Sequence, residues 1–199
     1  MINTLIILYL SLLLMGCEKN NQPPITVKKT QLVEVKKEET EQRFGKIYAK
    51  DSKLPYSGKI ISFYASGEKK SEEEYRNGEP HGLTVYWNKD GTFRQKSNFN
   101  EGKLHGLNVM WVNGGQKLFE INSNNGRRDG LNTYWYSNGQ KRTEENFKNG
   151  KKNGLFTVWH ENGQRKYEVK WQEDEKIESS EKFWNNRGEA VTSMDESLR

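Results

Sequence analysis

The sequence predicts an all-β protein, an elongated single-layer antiparallel meander assembled from tandem hairpins. Three observations predict it. Glycines open five units at Gly58, Gly82, Gly106, Gly130 and Gly154, each 24 residues after the last. Five positions into every unit stands a large aromatic residue: Phe63, Trp87, Trp111, Trp135 and Trp159. Between these markers apolar and polar residues alternate with the period of two that strands impose.

Composition agrees with a thin repeat rather than a thick core. Of 199 residues, 32% are hydrophobic and 30% charged, which is polar for a packed domain, yet 12% are aromatic, which argues against disorder. Each unit of such a chain buries itself mainly against its neighbours. The net charge is +5, but 32 basic and 27 acidic residues are interspersed, with no basic block of the kind that marks nucleic-acid binding. No nucleic-acid partner is expected.

The elements follow in chain order. Leu5 to Met15 is an apolar run too short to span a bilayer as a helix, and its length suits the apolar region of a signal peptide. It leads into Leu14-Met15-Gly16-Cys17, and Cys17 is the only cysteine of the chain. This stretch resembles a bacterial lipobox. The resemblance implies cleavage before Cys17, lipidation of its thiol with acylation of the new N-terminus, and a lipid-anchored place in the bacterial cell envelope. At roughly 0.8 kcal/mol per buried CH₂, several acyl chains hold a protein on a membrane essentially permanently. Residues 1–16 are thus expected as a signal helix, and 17–42, charged and carrying Pro23-Pro24, as a flexible tether. The repeat domain is expected over 43–190, its last unit degrading from Glu178, with 191–199 frayed.

Within a unit the first strand carries Leu or Lys at offset 1, Ile, Val or Thr at offset 3 and the large aromatic at 5; Leu131, Thr133 and Trp135 are one example. The second strand ends in an aromatic at offset 17: Tyr75, Phe99, Phe147 and Trp171, with Ser123 the exception. Glycines at offsets 9 and 20 mark two turns, though Asp174 breaks the second series. For the aromatics at 5 and 17 to share a face, the loops must hold an odd number of residues. A type I turn followed by a left-handed glycine does this with three, and such loops are predicted at both turns. The opposite face would then carry the even offsets: Tyr64, Tyr86, Tyr134, Tyr136 and His160, basic Lys70, Arg94, Arg142 and Lys166, and acidic Glu72, Glu120, Glu144 and Glu168. In that register Arg94 lies near Tyr86 and Arg142 near Tyr134, a cation–π arrangement.

The spacing of glycine, aromatic, turn glycine and second glycine resembles the MORN-repeat family, specifically its bacterial 24-residue variant, from residue 54 to about 190. Leu54-Pro55-Tyr56-Ser57-Gly58 is similar to the common entry into its first repeat. The resemblance implies elongated antiparallel sheets. The variant is often labelled as the antitoxin part of toxin–antitoxin systems, and some relatives bind phospholipid headgroups.

Chemistry is scarce. His81, His105, Asp129 and Asn153 share one offset, but equivalent residues of successive hairpins stand on the order of 10 Å apart. Two ligands of one zinc must each lie about 2 Å from it, so the row reads as turn-capping residues rather than a metal site. No nucleophile elbow, phosphate-cradling loop or CxxC pair occurs, so neither enzyme activity nor a cofactor is expected. The Trp series fills a buried face or forms a stacking ladder, the former being the simpler reading. The leading functional reading is a lipid-anchored, non-enzymatic scaffold that binds another protein through Tyr64, Tyr86, Tyr134, Tyr136, Lys70, Arg94, Arg142 and Lys166. The alternatives are an antitoxin or immunity lipoprotein with a toxin partner, and a binder of phospholipid headgroups or anionic glycans.

Overall fold

The computed structural model describes residues 34–112 and 114–198. The expected signal helix, Cys17 and most of the tether lie outside them. Strands run β1 Glu34–Lys36, β2 Thr40–Arg43, β3 Lys46–Ala49, β4 Gly58–Phe63, β5 Lys69–Arg76, β6 Glu79–Trp87, β7 Phe93–Asn100, β8 Lys103–Leu104 and β9 Gly106–Trp111. They continue as β10 Lys117–Asn124, β11 Arg127–Arg128, β12 Gly130–Trp135, β13 Lys141–Lys148, β14 Lys151–Trp159, β15 Arg165–Gln172, β16 Glu175–Trp184 and β17 Ala190–Val191. A four-residue helix α1, Met194–Ser197, follows.

Fifteen of these strands form one sheet, ordered almost entirely along the chain, and every pairing after β4 is antiparallel. The predicted all-β meander of hairpins is what the chain folds into. Both ends differ from expectation. The tether gives way at Glu34, because β1 pairs in parallel with β4, Val35 opposite Ile60, and β2 and β3 form a separate hairpin. At the other end the tail is structured: β17 pairs with β16, and Ser193 caps α1 by accepting from the Glu196 amide. Both additions cover an edge strand that would otherwise present unpaired backbone groups.

The two turns of each unit differ. At the first, the Tyr64 amide donates to the Glu68 carbonyl at 2.9 Å and the Gly67 amide to the Tyr64 carbonyl at 3.0 Å, and the same pair of bonds recurs around Gly91, Gly115, Gly139, Gly163 and Gly188. This is the predicted three-residue loop. The second turn holds two residues, not three. Arg76 pairs with Glu79 around Asn77 and Gly78, whose φ values of 50° and 79° make a type I′ turn. Where Asp174 interrupts the glycines, the turn persists with Glu173 and Asp174 at 51° and 71°. Asp174 is also used, since its carboxylate accepts from the Lys152 amide at 2.7 Å.

A register shift inside each hairpin overturns the predicted faces. Phe63 opposes Lys69 but Ser62 opposes Ser71, so Lys70 is bulged out; Arg94, Leu118, Arg142 and Lys166 occupy the same position in later hairpins. One extra residue reverses the parity that the odd loop had set. Offset 17 therefore faces offset 0 and shares its face with 2 and 4, opposite the Trp series, while Glu72, Glu120, Glu144 and Glu168 move to the Trp side. The opening glycines are not turn residues either. Between Glu73–Thr84 and Tyr75–Pro80 the register slips by two, and Gly82, at φ 90°, sits in the slip. In the following units the Asn98, Asn122 and Asn146 amides seal the same slip by donating to the carbonyls of Leu107, Leu131 and Leu155.

Burial is uneven along the face of offsets 2, 4, 13, 15 and 17, termed the inner face below. In the last full unit it is apolar, with Val169 at 0% exposure and Tyr167 against Phe156 and Phe183, ring centres 6.1 and 5.2 Å away. In the middle it relies on asparagine. Asn132, fully buried, accepts from the Asn122 amide at 2.8 Å through Oδ1. Replacing Asn132 by alanine takes the partner from the part-buried Asn122 N–H but also removes the unpartnered Asn132 Nδ2, for a net cost of about 1 kcal/mol. Urea unfolding is expected to register that loss, whereas Leu131→Ala, at a 42% exposed neighbour, is expected to cost well under it.

Candidate binding face

The Trp side is a continuous ladder. The Lys69 ammonium lies 5.5 Å from the Trp87 ring centre, Trp87 lies 6.2 Å from Phe93, and Phe93 lies 5.8 Å from Trp111. Lys117 then covers Trp135, Lys141 covers Trp159 and Arg165 covers Trp184, at 5.5, 5.7 and 6.0 Å. Each of these cations also pairs with an acid three residues on, as Lys69 does with Glu72 at 3.0 Å. The tryptophans are half-buried in this column rather than filling a closed core. Charges already paired in this way have little left for a ligand.

The eight residues expected to contact a partner divide into two groups. Tyr64 and Tyr136 stand at the first turns and serve the fold: their hydroxyls donate to the carbonyls of Trp87 and Trp159, at 2.7 and 2.8 Å. His160 bridges to the Trp184 carbonyl in the same manner, at 3.1 Å. These bonds stitch each turn to the next. Tyr86 and Tyr134 instead lie half-buried on the inner face. Lys70, Arg94, Arg142 and Lys166 all occupy the bulge, which re-aims a side chain out of the ordinary alternation. The first three are exposed and Lys166 is half-buried.

Tyrosines and bulge cations meet electrostatically. Burial and the charge of Glu73 push the Tyr86 phenol up to about 12, and Arg94 works against that rise. Burial also raises Tyr134, with Arg128 and Arg142 opposing and Glu145 adding to it; for Tyr136 burial is again the main cause. The ring contacts differ from the expected ones. Among the described residues, tyrosine rings lie under Lys70 and Lys89 at Tyr64, and under Arg43 at Tyr48.

Sequence reasoning missed a second set of cations. Arg128 lies 5.1 Å from the Phe147 ring centre, and Lys152 lies 4.7 Å from that of Trp171. Both stand two residues before a unit's opening glycine, directly after a type I′ turn. Their recurrence relative to the glycines was the available signal. The expected row of turn-capping residues holds in part: Asp129 accepts from the Asn149 amide at 3.2 Å, His105 and Asn153 bond the turn side chains of Asn125 and Glu173, but the buried Nδ1 of His81 has no partner among the described residues.

At the first two hairpins the inner face is hollow. Glu73, Tyr75, Pro80, Thr84, Tyr86, Arg94, Gln95 and Phe99 line a depression of about 430 Å³. A second, of about 380 Å³, adjoins it across Glu73, Tyr75 and Pro80 and is lined on its far side by residues of the N-terminal segment, including Lys37. Thus Tyr86 and Arg94 share one concavity.

No curated protein matches the chain. Among solved structures, one described as a crystal structure of the GtfA/B complex bound to UDP and GlcNAc aligns with 54% of this chain and 21% of its own length, at 16% identity and a TM-score of 0.22. That likeness carries no argument, and the aligned span is a minor part of that protein. The informative match is to a repeat family. Segments 56–77, 128–149 and 152–173 match the family described as MORN repeat variant, all in one phase, each beginning two residues before an opening glycine.

Proposed function

We propose that this chain is a non-enzymatic repeat protein that binds another protein through its inner face, anchored in a bacterial envelope by lipid on Cys17. The observation that carries the binding reading is the bulge. It recurs at Lys70, Arg94, Arg142 and Lys166, and on the inner face it sets Arg94 near Tyr86 and Arg142 near Tyr134. Tyrosine and arginine at a concave, partly desolvated surface are the residue types that carry binding energy at interfaces. The anchor rests on Leu14-Met15-Gly16-Cys17 and its apolar lead.

Two experiments test the two halves. Cys17→Ser is expected to leave the protein unlipidated with its signal unprocessed, released from the membrane fraction once the apolar lead is removed; lipid labelling that persisted would overturn the anchor. Against one partner recovered by crosslinking, Arg94→Ala with Arg142→Ala is expected to weaken binding at least tenfold, since each contact of this kind is worth about 1–2 kcal/mol. Undiminished affinity in that double variant would sink the proposed face. A single tight partner that arrests growth when this chain is lost would favour the antitoxin reading. Salt-sensitive retention on anionic vesicles by Cys17→Ser protein would favour headgroup binding.

A further inference from the structure

The inner face contains a buried carboxylate that the repeat does not need. Glu73 is 6% exposed on a sheet whose equivalent positions hold Ser97, Ile121, Glu145 and Val169. Burying a carboxylate is costly unless it is bonded and paired. Its bonds come from neutral hydroxyls: Ser71 donates to Oε1 at 3.0 Å, itself bonded to Ser62 at 2.6 Å, and Tyr75 donates to Oε2 at 3.0 Å. Tyr86 turns its phenol to the same group. The salt-bridge partner is Lys37, whose Nζ stands 3.6 Å from Oε1 with its side chain 60% exposed.

That ion pair is longer than a hydrogen bond. Lys59 reaches Glu72 at 2.6 Å and Lys69 reaches it at 3.0 Å, both hydrogen-bond distances, whereas 3.6 Å is not one. Lys37 is also weakly held. It sits in a three-residue 3-10 turn, preceded by a three-residue strand that makes the sheet's parallel pairing. The carboxylate is therefore buried and held by two hydroxyls, while its cation is largely exposed and makes no hydrogen bond to it.

We propose that the hollow around Glu73 is a receptor for a primary alkylammonium group, with Lys37 as its resident, displaceable occupant. The walls suit the ligand: Tyr75, Tyr86, Phe99 and Pro80 receive the alkyl stem, and aromatic faces favour a cation. The phenol oxygens of Tyr75 and Tyr86 retain lone pairs that an ammonium can use. A guanidinium fits less well than an ammonium, because with Ser71 and Tyr75 already bonded a single lone pair per oxygen is left for its rigid planar fork. A buried negative charge excludes anions. On the reading of this face as a protein-binding surface, the natural ligand is a lysine side chain of the partner, but the test below depends on no partner.

The probe is n-butylammonium, titrated into the full chain while the ring resonances of Tyr75 and Tyr86 are followed, with n-butylguanidinium as comparison. In Lys37→Met protein the ammonium is expected to bind at least tenfold more tightly than in the wild type, and more tightly than the guanidinium. Adding Glu73→Gln to Lys37→Met is expected to abolish the shifts. If that protein is misfolded by circular dichroism, Tyr86→Phe in the Lys37→Met background takes its place and should weaken binding several-fold. Absence of a saturable shift in Lys37→Met protein, equal affinity with and without Lys37, or preference for the guanidinium would each overturn the proposal.

Discussion

Alanine at Gly78 is expected to destabilise the protein by about 3 kcal/mol or more, while alanine at Gly102, the same turn position one unit later, costs about 1–2 kcal/mol. Both glycines occupy the second position of a type I′ turn, at φ 79° and 75°, where an L side chain is strained. Their surroundings separate them. A Cβ at Gly78 would stand 2.7 Å from the Lys46 Cβ and 2.9 Å from the Ile47 carbonyl oxygen, because the β2–β3 hairpin packs against that turn. At Gly102 it would meet nothing within 4 Å. Backbone cannot yield as the end of a flexible side chain does, and the Ile47 amide is bonded to the Gly78 carbonyl at 2.9 Å. Urea midpoints of the two variants decide the matter. Equal losses would mean that the N-terminal hairpin does not sit on the first turn.

The second large effect is alkaline. Stability is expected to hold up to about pH 10 and to fall steadily between pH 10 and about 12. Burial raises Tyr56, Tyr75, Tyr86, Tyr134, Tyr136 and Tyr167, with Glu73 adding at Tyr75 and Tyr86 and Glu181 at Tyr167. An unfolded tyrosine ionises near 10. Above that pH the unfolded chain has released protons that the folded chain still holds, so unfolding gains with every step in pH. For Tyr86 the window closes near 12, where the folded phenol itself ionises. Lys59, raised by its bond to Glu72, loses its contribution in the same direction. The check is a series of urea midpoints against pH beside the tyrosinate absorbance. Tyr86→Phe should flatten the slope, and a wild-type midpoint unchanged through pH 12 would contradict the burial of these phenols.

Several features were legible from local chemistry. The 24-residue period located the hairpins, the glycines at offsets 9 and 20 located their turns, and alternation identified strands. The first loop was derivable because a type I turn with a left-handed glycine has one length. The second was misread although Asn77-Gly78 is the favoured pair of a two-residue type I′ turn, because an odd loop was required to set the aromatics at offsets 5 and 17 on one face. The candidate face was half legible. Offset alone set Tyr86 near Arg94 and Tyr134 near Arg142, yet Tyr64 and Tyr136 are stitches between turns. Arg128 and Lys152 were overlooked because they precede the unit as it was drawn.

What the sequence determined by itself is everything encoded within a hairpin: strand, turn, period and the residue types available at each offset. These depend on backbone geometry over a few residues, which the local sequence controls. The tertiary structure decided which offsets share a face. One bulged residue at Lys70 and its equivalents reset the parity between strands, and a two-residue slip at Gly82 moved the register without changing it. Such shifts have no local signature, since their stability comes from the neighbouring strand: an Asn98 side chain bonded to Leu107 nine residues on, or a Glu73 buried against the hydroxyls of its neighbours.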